Sequence, residues 1–206
     1  MKLYTSIGPN PRVVKMFMAE KGIDIPRVEL DLMAGENRQP AHVARNPGGQ
    51  MPTLELDDGS YLAEVTAICE YLEEKHPKPV LVGATAEERA MTRMWTRRID
   101  LYIVEPMLTG FRGAEGQALF KDRMRLIPQA SADLKTLAQE KITWLDGLIG
   151  GRDFVAGNSL TLADILLYCT LDFGATVGQP LNRDNKNIAA WFARVNARPS
   201  AEASRG

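Results

Sequence analysis

Apolar and polar positions along the chain fall into two regimes, short alternating runs mixed with helical ones up to Pro77, and helical spacing alone beyond Gly83. Residues Lys2 to Ser6 read as a strand with Leu3 and Thr5 on alternate sides, and Gly8-Pro9-Asn10-Pro11 turns the chain into a helix. Asn10 suits the N-cap of that helix and Pro11 its first position. Val14, Phe17 and Met18 follow at i, i+3, i+4, and Gly22 supplies the stop. Val28, Leu30 and Leu32 alternate with Arg27, Glu29 and Asp31, which predicts a second strand with one face buried. Thr53–Leu56 and Ser60–Leu62 then flank Asp57-Asp58-Gly59, a hairpin signal. From Glu64 onward, Val65, Ile68, Cys69 and Leu72 form one helical stripe that stops before Pro77.

The order β-α-β followed by β-β-α has a mechanical consequence. A right-handed crossover makes the first two strands parallel, and the hairpin adds antiparallel ones, so residues 1–78 are expected to form a mixed four-stranded sheet with helices. Pro77-Lys78-Pro79 and the short run to Gly83 read as a connector. Residues 85–206 are expected to form an all-helical domain. Thr85-Ala86-Glu87-Glu88 is a capping box opening a long helix through Trp95, Ile99 and Tyr102. A second carries Leu134, Leu137, Ala138, Ile142, Leu145 and Leu148 and closes at Gly150-Gly151. Thr161 to Asp164 starts a third, with Leu160 and Ile165 as a hydrophobic staple. Asn187 is expected to cap the last, whose inner face presents Ile188, Trp191 and Val195 before Arg198-Pro199.

Composition narrows the chemistry. With 206 residues, 45% hydrophobic, 25% charged and a formal charge of −1, the chain lacks the one-signed excess that nucleic acid or an anionic membrane surface would require. No run of about 18 apolar residues is present, so no membrane span is expected. Cys69 and Cys169 are a hundred positions apart and form no metal or disulfide motif, which suits a reducing, cytoplasmic setting. His42 and His76 have no second ligand at metal spacing and read as surface histidines, so no metal is expected.

Three places could carry chemistry. Asn46-Pro47-Gly48-Gly49-Gln50-Met51-Pro52 sets a proline at the start of a strand. A cis Met51-Pro52 bond there would free the Met51 N–H and C=O to pair with an extended peptide, or serve only to shape a tight turn. Glu64 opens a helix, where its carboxylate complements the dipole; together with exposed N–H groups it could also hold both charges of an amino-acid-like ligand. The start of the first helix would stabilise a thiolate, and Ser6 and Asn10 are the polar side chains within reach. Neither is a strong nucleophile, so the sulfur would belong to the ligand. Pure capping by Asn10 and an inert strand-end hydroxyl at Ser6 are the competing uses.

The strand-turn-helix start, Asn46-Pro47 with Gly49-Gln50-Met51-Pro52, Leu62-Ala63-Glu64 leading into Ala67-Ile68, Ser159-Leu160-Thr161-Leu162-Ala163-Asp164, and Trp191 with Arg198-Pro199-Ser200 resemble the glutathione transferases over nearly the whole chain. The resemblance implies a thioredoxin-like first domain, a helical second domain and a homodimer. It implies that Met51 bonds the cysteinyl backbone of glutathione with Pro52 cis, that Glu64 and the Val65 main chain hold the γ-glutamyl end, and that Gln50 and Asn37 contact the rest. Many relatives have Ser where this chain has Val65; the missing hydroxyl would weaken binding by about 1 kcal/mol. At the catalytic turn the family uses Tyr, Ser or Cys, whereas here Tyr4 lies within the strand and Asn10 resembles the Asn of a bacterial class with disulfide-reductase activity. The implied reaction is attack of the glutathione thiolate on an apolar electrophile. Glutathione-dependent disulfide or peroxide reduction, and a non-catalytic interaction module, are the alternatives.

Overall fold

Four strands, β1 (Lys2–Thr5), β2 (Arg27–Glu29), β3 (Thr53–Glu55) and β4 (Tyr61–Leu62), form one sheet in the order β2-β1-β3-β4. β1 runs parallel to β2, with Tyr4 opposite Val28, and antiparallel to β3, with Tyr4 opposite Thr53. β4 closes the hairpin, Leu54 opposite Leu62. This is the expected mixed sheet, reached in a computed structural model that describes residues 1–205. β2 is shorter than its alternation predicts. It is an edge strand with only partial cover, and the ladder stops at Glu29 with the Leu30 N–H donating to the Thr5 carbonyl at 2.8 Å.

Helix α1 (Pro9–Lys21) buries Val13, Val14, Met16, Phe17 and Met18, each worth about 1.5–3 kcal/mol against leaving it in water. Gly22 ends it in the left-handed conformation at φ 64°, as its position suggests. The start differs from expectation. Gly8 occupies the cap and Pro9 the first turn, so Asn10 lies inside the helix and caps nothing. Proline suits the first turn because the N–H it lacks would have no intrahelical partner there.

Beyond β2, a 3₁₀ turn (Glu36–Arg38) and the short helix α2 (Pro40–Val43) lead to β3. Helix α3 (Val65–Lys75) follows β4 and buries Ile68, Cys69 and Leu72. Its Glu73 forms a buried ion pair with Lys21 at 2.6 Å. The same ammonium donates to the Pro79 carbonyl, and Glu73 accepts from the Leu81 N–H at 3.0 Å. One charge pair thus ties α1, α3 and the connector together.

These elements and the segment from Pro199 form one compact unit; residues 82–198 form the other. The sequence reading carries the helical domain on to residue 206, yet α10 (Pro199–Ala203) packs on α1, where the Arg12 guanidinium donates to the Ala201 carbonyl and the Ser204 hydroxyl, both at 3.3 Å, and the Ser200 hydroxyl donates to Glu20.

The second unit begins with α4 (Ala86–Ile99), whose capping box forms as expected between Thr85 and Glu88. A π turn at Asp100–Val104 joins it to α5 (Glu105–Gly113). The widened turn advances the helical phase, so Ile103, Val104, Met107 and Leu108 face inward while Tyr102, expected on the buried stripe, is 40% exposed beside Trp144. After α6 (Gln117–Phe120), the long α7 (Ser131–Ile149) buries Ala138, Ile142, Leu145 and Ile149. Leu137 and Leu148, assigned inward by spacing, are exposed; the helix carries more apolar residues than one face can hold, and packing on α5 selects among them.

Helix α8 (Leu162–Thr176) is buried along most of its length. The Asp164 carboxylate accepts from the Thr161 N–H and hydroxyl, both at 2.9 Å, and from the Val155 N–H and the Trp191 indole, both at 2.8 Å. Helix α9 (Lys186–Asn196) contributes Ile188, Trp191 and Val195 to the core. Its cap is Asn185 rather than Asn187, whose amide instead donates to the Asp146 carbonyl at 2.9 Å. Among the described residues no helix is long and apolar enough to cross a membrane.

Candidate active site

Strand directions bring the candidate residues to one end of the sheet. β1 leaves the sheet through Ser6 toward α1, β3 enters beside it from Met51-Pro52, and β4 leaves antiparallel to β3 toward Glu64. Ser6 with Asn10, Met51 with Pro52, and Glu64 with Val65 therefore converge, although they are far apart in sequence.

Glu64 is the strained member. Its backbone sits at φ 68° and ψ 124°, the one positive-φ residue other than glycine among those described, and its side chain is exposed. Such a conformation costs on the order of 1–3 kcal/mol and persists where surrounding structure or function demands it. Glu64 makes no side-chain cap on α3. The Ile68 N–H is the first in α3 to bond back, to the Glu64 carbonyl, so the N–H groups of Val65, Thr66 and Ala67 are left facing the helix start. Thr66, half-buried in the first turn, offers a hydroxyl that the sequence reading passed over when it noted the loss of serine at Val65.

The start of α1 has an unusual supply of donors. Pro9 and Pro11 carry no N–H, so Asn10 provides the single backbone donor of the first three helical residues. Its side-chain amide is half-buried and has no hydrogen-bonding partner among the described residues. The capping use of Asn10 is thereby removed. Ser6 differs: it is 3% exposed and its hydroxyl donates to the Leu30 carbonyl at 2.6 Å, fastening the end of β1 to the chain beyond β2.

The Met51-Pro52 peptide is cis. Met51 is largely buried, and its N–H and C=O have no partner among the described residues. Gln50 projects an exposed side chain without a partner, while its carbonyl points inward. Asn37 lies beneath this loop rather than in the open: it is 3% exposed and its amide donates to the Gly49 carbonyl at 2.7 Å. Gly49 is required here, since it adopts φ 58° and a Cβ would meet the Asn37 carbonyl at 3.1 Å and the Arg38 guanidinium at 2.9 Å. His42 overturns its assignment as a surface residue. It is 1% exposed, with Nε2 at 2.9 Å from the Gln50 carbonyl.

Tyr4 stands apart from the helix start. Its hydroxyl donates to Glu55 at 2.8 Å and the Arg45 guanidinium stacks 4.3 Å from its ring centre. Burial and the bond to Glu55 push the phenol up from its ordinary value. The same bond, aided by Lys2, holds the Glu55 carboxyl below the usual range. In the helical unit, Met107 and Tyr168 are fully buried, the Tyr168 hydroxyl donating to Asn196 at 2.8 Å, so both are core. Phe111 packs edge-on against Phe173 at 5.0 Å and Phe120 at 6.0 Å.

A thioredoxin-like sheet with a cis proline opening β3, a strained acidic residue heading the next helix and a helical second unit is the architecture of glutathione transferases. The family model "Glutathione S-transferase, N-terminal domain" matches residues 7–75 and "Glutathione S-transferase, C-terminal domain" matches residues 114–199. Glutathione S-transferase 2 of Saccharomyces cerevisiae is 30% identical over 200 residues, covering 96% of this chain and 86% of its own. The chain belongs to the glutathione transferase superfamily. Among solved structures, Gtt2 from Saccharomyces cerevisiae superposes with a TM-score of 0.92 at 30% identity, covering 99% of this chain and all of the other. A glutathione S-transferase domain-containing protein from Marinobacter aquaeolei VT8 superposes at 0.90 and 34% identity, over 97% and 99% of the two chains.

Proposed function

We propose that the chain binds glutathione along the open end of its sheet and joins the whole tripeptide, through its thiolate sulfur, to an electrophilic carbon of an apolar substrate. Glu64 carries this reading. An exposed carboxylate held in a costly backbone conformation, beside three unused N–H groups, suits a ligand end bearing both an ammonium and a carboxylate. The γ-glutamyl group would place its ammonium on Glu64 and its carboxylate on the Val65 and Thr66 amides. The cysteinyl backbone would pair with the Met51 N–H and C=O, and Gln50 would reach the glycyl end. Asn37 and Pro52 would shape the loop from below.

The thiol would then meet the start of α1, where the helix dipole and the Asn10 amide favour the thiolate. Ser6 supports that turn through its bond to Leu30 and shares in the thiolate's polar surroundings. The sulfur attacks, a C–S bond forms and the leaving group departs. Thiolate stabilisation and holding the two substrates together supply the rate. The reading includes a cytoplasmic homodimer.

Titration calorimetry with glutathione, followed by turnover of a chloronitrobenzene and of a small mixed disulfide, tests this reading. Saturable binding with conjugation of the aromatic is expected. Binding with brisk disulfide reduction and negligible conjugation would assign the reductase chemistry instead, and no binding at millimolar glutathione would leave an interaction module.

A further inference from the structure

We infer that His42 is a positioning residue that aims the Met51 amide at the bound tripeptide, an inference that rests on the glutathione site proposed above. The Gln50 carbonyl accepts from His42 Nε2 at 2.9 Å and Asn46 Nδ2 at 3.0 Å, with the Thr53 hydroxyl a distant third at 3.4 Å. A carbonyl oxygen only accepts, so the proton must sit on Nε2. The Gln50 carbonyl and the Met51 N–H are two ends of one planar trans peptide and point in opposite directions. Holding the oxygen inward therefore turns the N–H outward, where no group among the described residues takes it up.

The surroundings give His42 little else to do. Its Nδ1 is buried and without a partner, its ring lies 6.5 Å from that of Tyr4 at a tilt of 60°, and it sits in the four-residue helix α2, which needs no imidazole to form. A phenylalanine would fill the same space without leaving a buried nitrogen unsatisfied, a state that costs about 1–3 kcal/mol. The one contact that repays burial of a histidine here is the hydrogen bond to Gln50. Without His42, Asn46 and the distant Thr53 hydroxyl would hold the carbonyl's direction more loosely; two short bonds, from α2 and from the loop that follows it, define its plane.

The experiment compares the full-length wild type with His42→Leu, which removes the donor, and His42→Gln and His42→Asn, which carry the same amide at different reach. Only glutamine sets its nitrogen where Nε2 stands. Expected results are a threefold to tenfold rise in the Kd and KM for glutathione in the leucine variant, about the worth of one hydrogen bond, with kcat at saturating glutathione unchanged. Faster hydrogen exchange across Gly49–Thr53 without ligand should accompany it. Glutamine should restore both. Wild-type affinity and exchange in the leucine variant would overturn the inference while leaving the glutathione site standing, as would a fall in kcat with KM unmoved. If the leucine variant does not fold, glutamine and asparagine decide: weaker binding by asparagine alone supports the role, and equal binding by both removes it. Wild-type protein that fails to bind glutathione would remove the site and this role together.

Discussion

The Trp191 indole N–H donates to the Asp164 carboxylate at 2.8 Å, joining α9 to the capping box of α8 in the interior of the helical unit. Four donors converge on this carboxylate. Burial nonetheless pushes it up from its ordinary value, with the hydrogen bonds acting in the opposite sense.

The first prediction concerns that network. Asp164→Ala strands the Trp191, Val155 and Thr161 donors and should destabilise the protein by about 2–4 kcal/mol, read as a lower urea midpoint. Because the folded carboxyl is raised, its ionisation opposes folding: stability associated with this group is fullest below the unfolded value and declines as pH rises through the folded one. The alanine variant should lose that part of the pH dependence.

Glu64 allows strain and function to be separated. Glu64→Gly removes the penalty of φ 68° at the cost of a more flexible unfolded chain, so a gain of about 1 kcal/mol or less in stability is expected. The same change should raise the Kd for glutathione at least several-fold. A variant that melts lower than wild type would show that the carboxylate, and not the ligand, justifies the conformation.

Asn10→Ala tests the thiolate. Loss of one donor should raise the pKa of the bound glutathione thiol by about one unit, followed by thiolate absorbance in the ultraviolet. The helix itself should melt at an unchanged temperature, since Gly8 holds the cap. An unaltered thiol titration would retire Asn10 from the chemistry.

Tyr4→Phe should leave conjugation within about twofold of wild type, because the phenol proton is committed to Glu55 and its pKa is raised, the wrong direction for activating a thiol. The Glu55 carboxyl should titrate higher in the variant, which carboxyl NMR would detect. A tenfold fall in kcat would bring Tyr4 into the mechanism.

Features written in adjacent residues were legible in the sequence. The Thr85–Glu88 box, the helix start at Thr161–Asp164, the Asp57-Asp58-Gly59 hairpin and the Gly22 stop each depend on a few neighbours, and all are present. Misreadings came where a distant backbone or a crowded face decided. Two prolines around Asn10 moved the cap to Gly8, and excess apolar residues on α7 hid the exposure of Leu137 and Leu148. His42 was the costliest: an isolated imidazole with no second ligand nearby was assigned to the surface, while a carbonyl eight residues on claims it. A histidine in the helix just before an Asn-Pro-Gly-Gly-Gln loop was the available signal.

The bonds from Arg12 to Ala201 and Ser204 make the sheet-bearing half of this protein a discontinuous object, assembled from residues 1–81 and the segment that starts at Pro199. Cutting it out as residues 1–81 would strip one flank of α1, the helix whose first turn faces the proposed thiolate position. A nascent chain likewise completes that half only after the whole helical region has been synthesised.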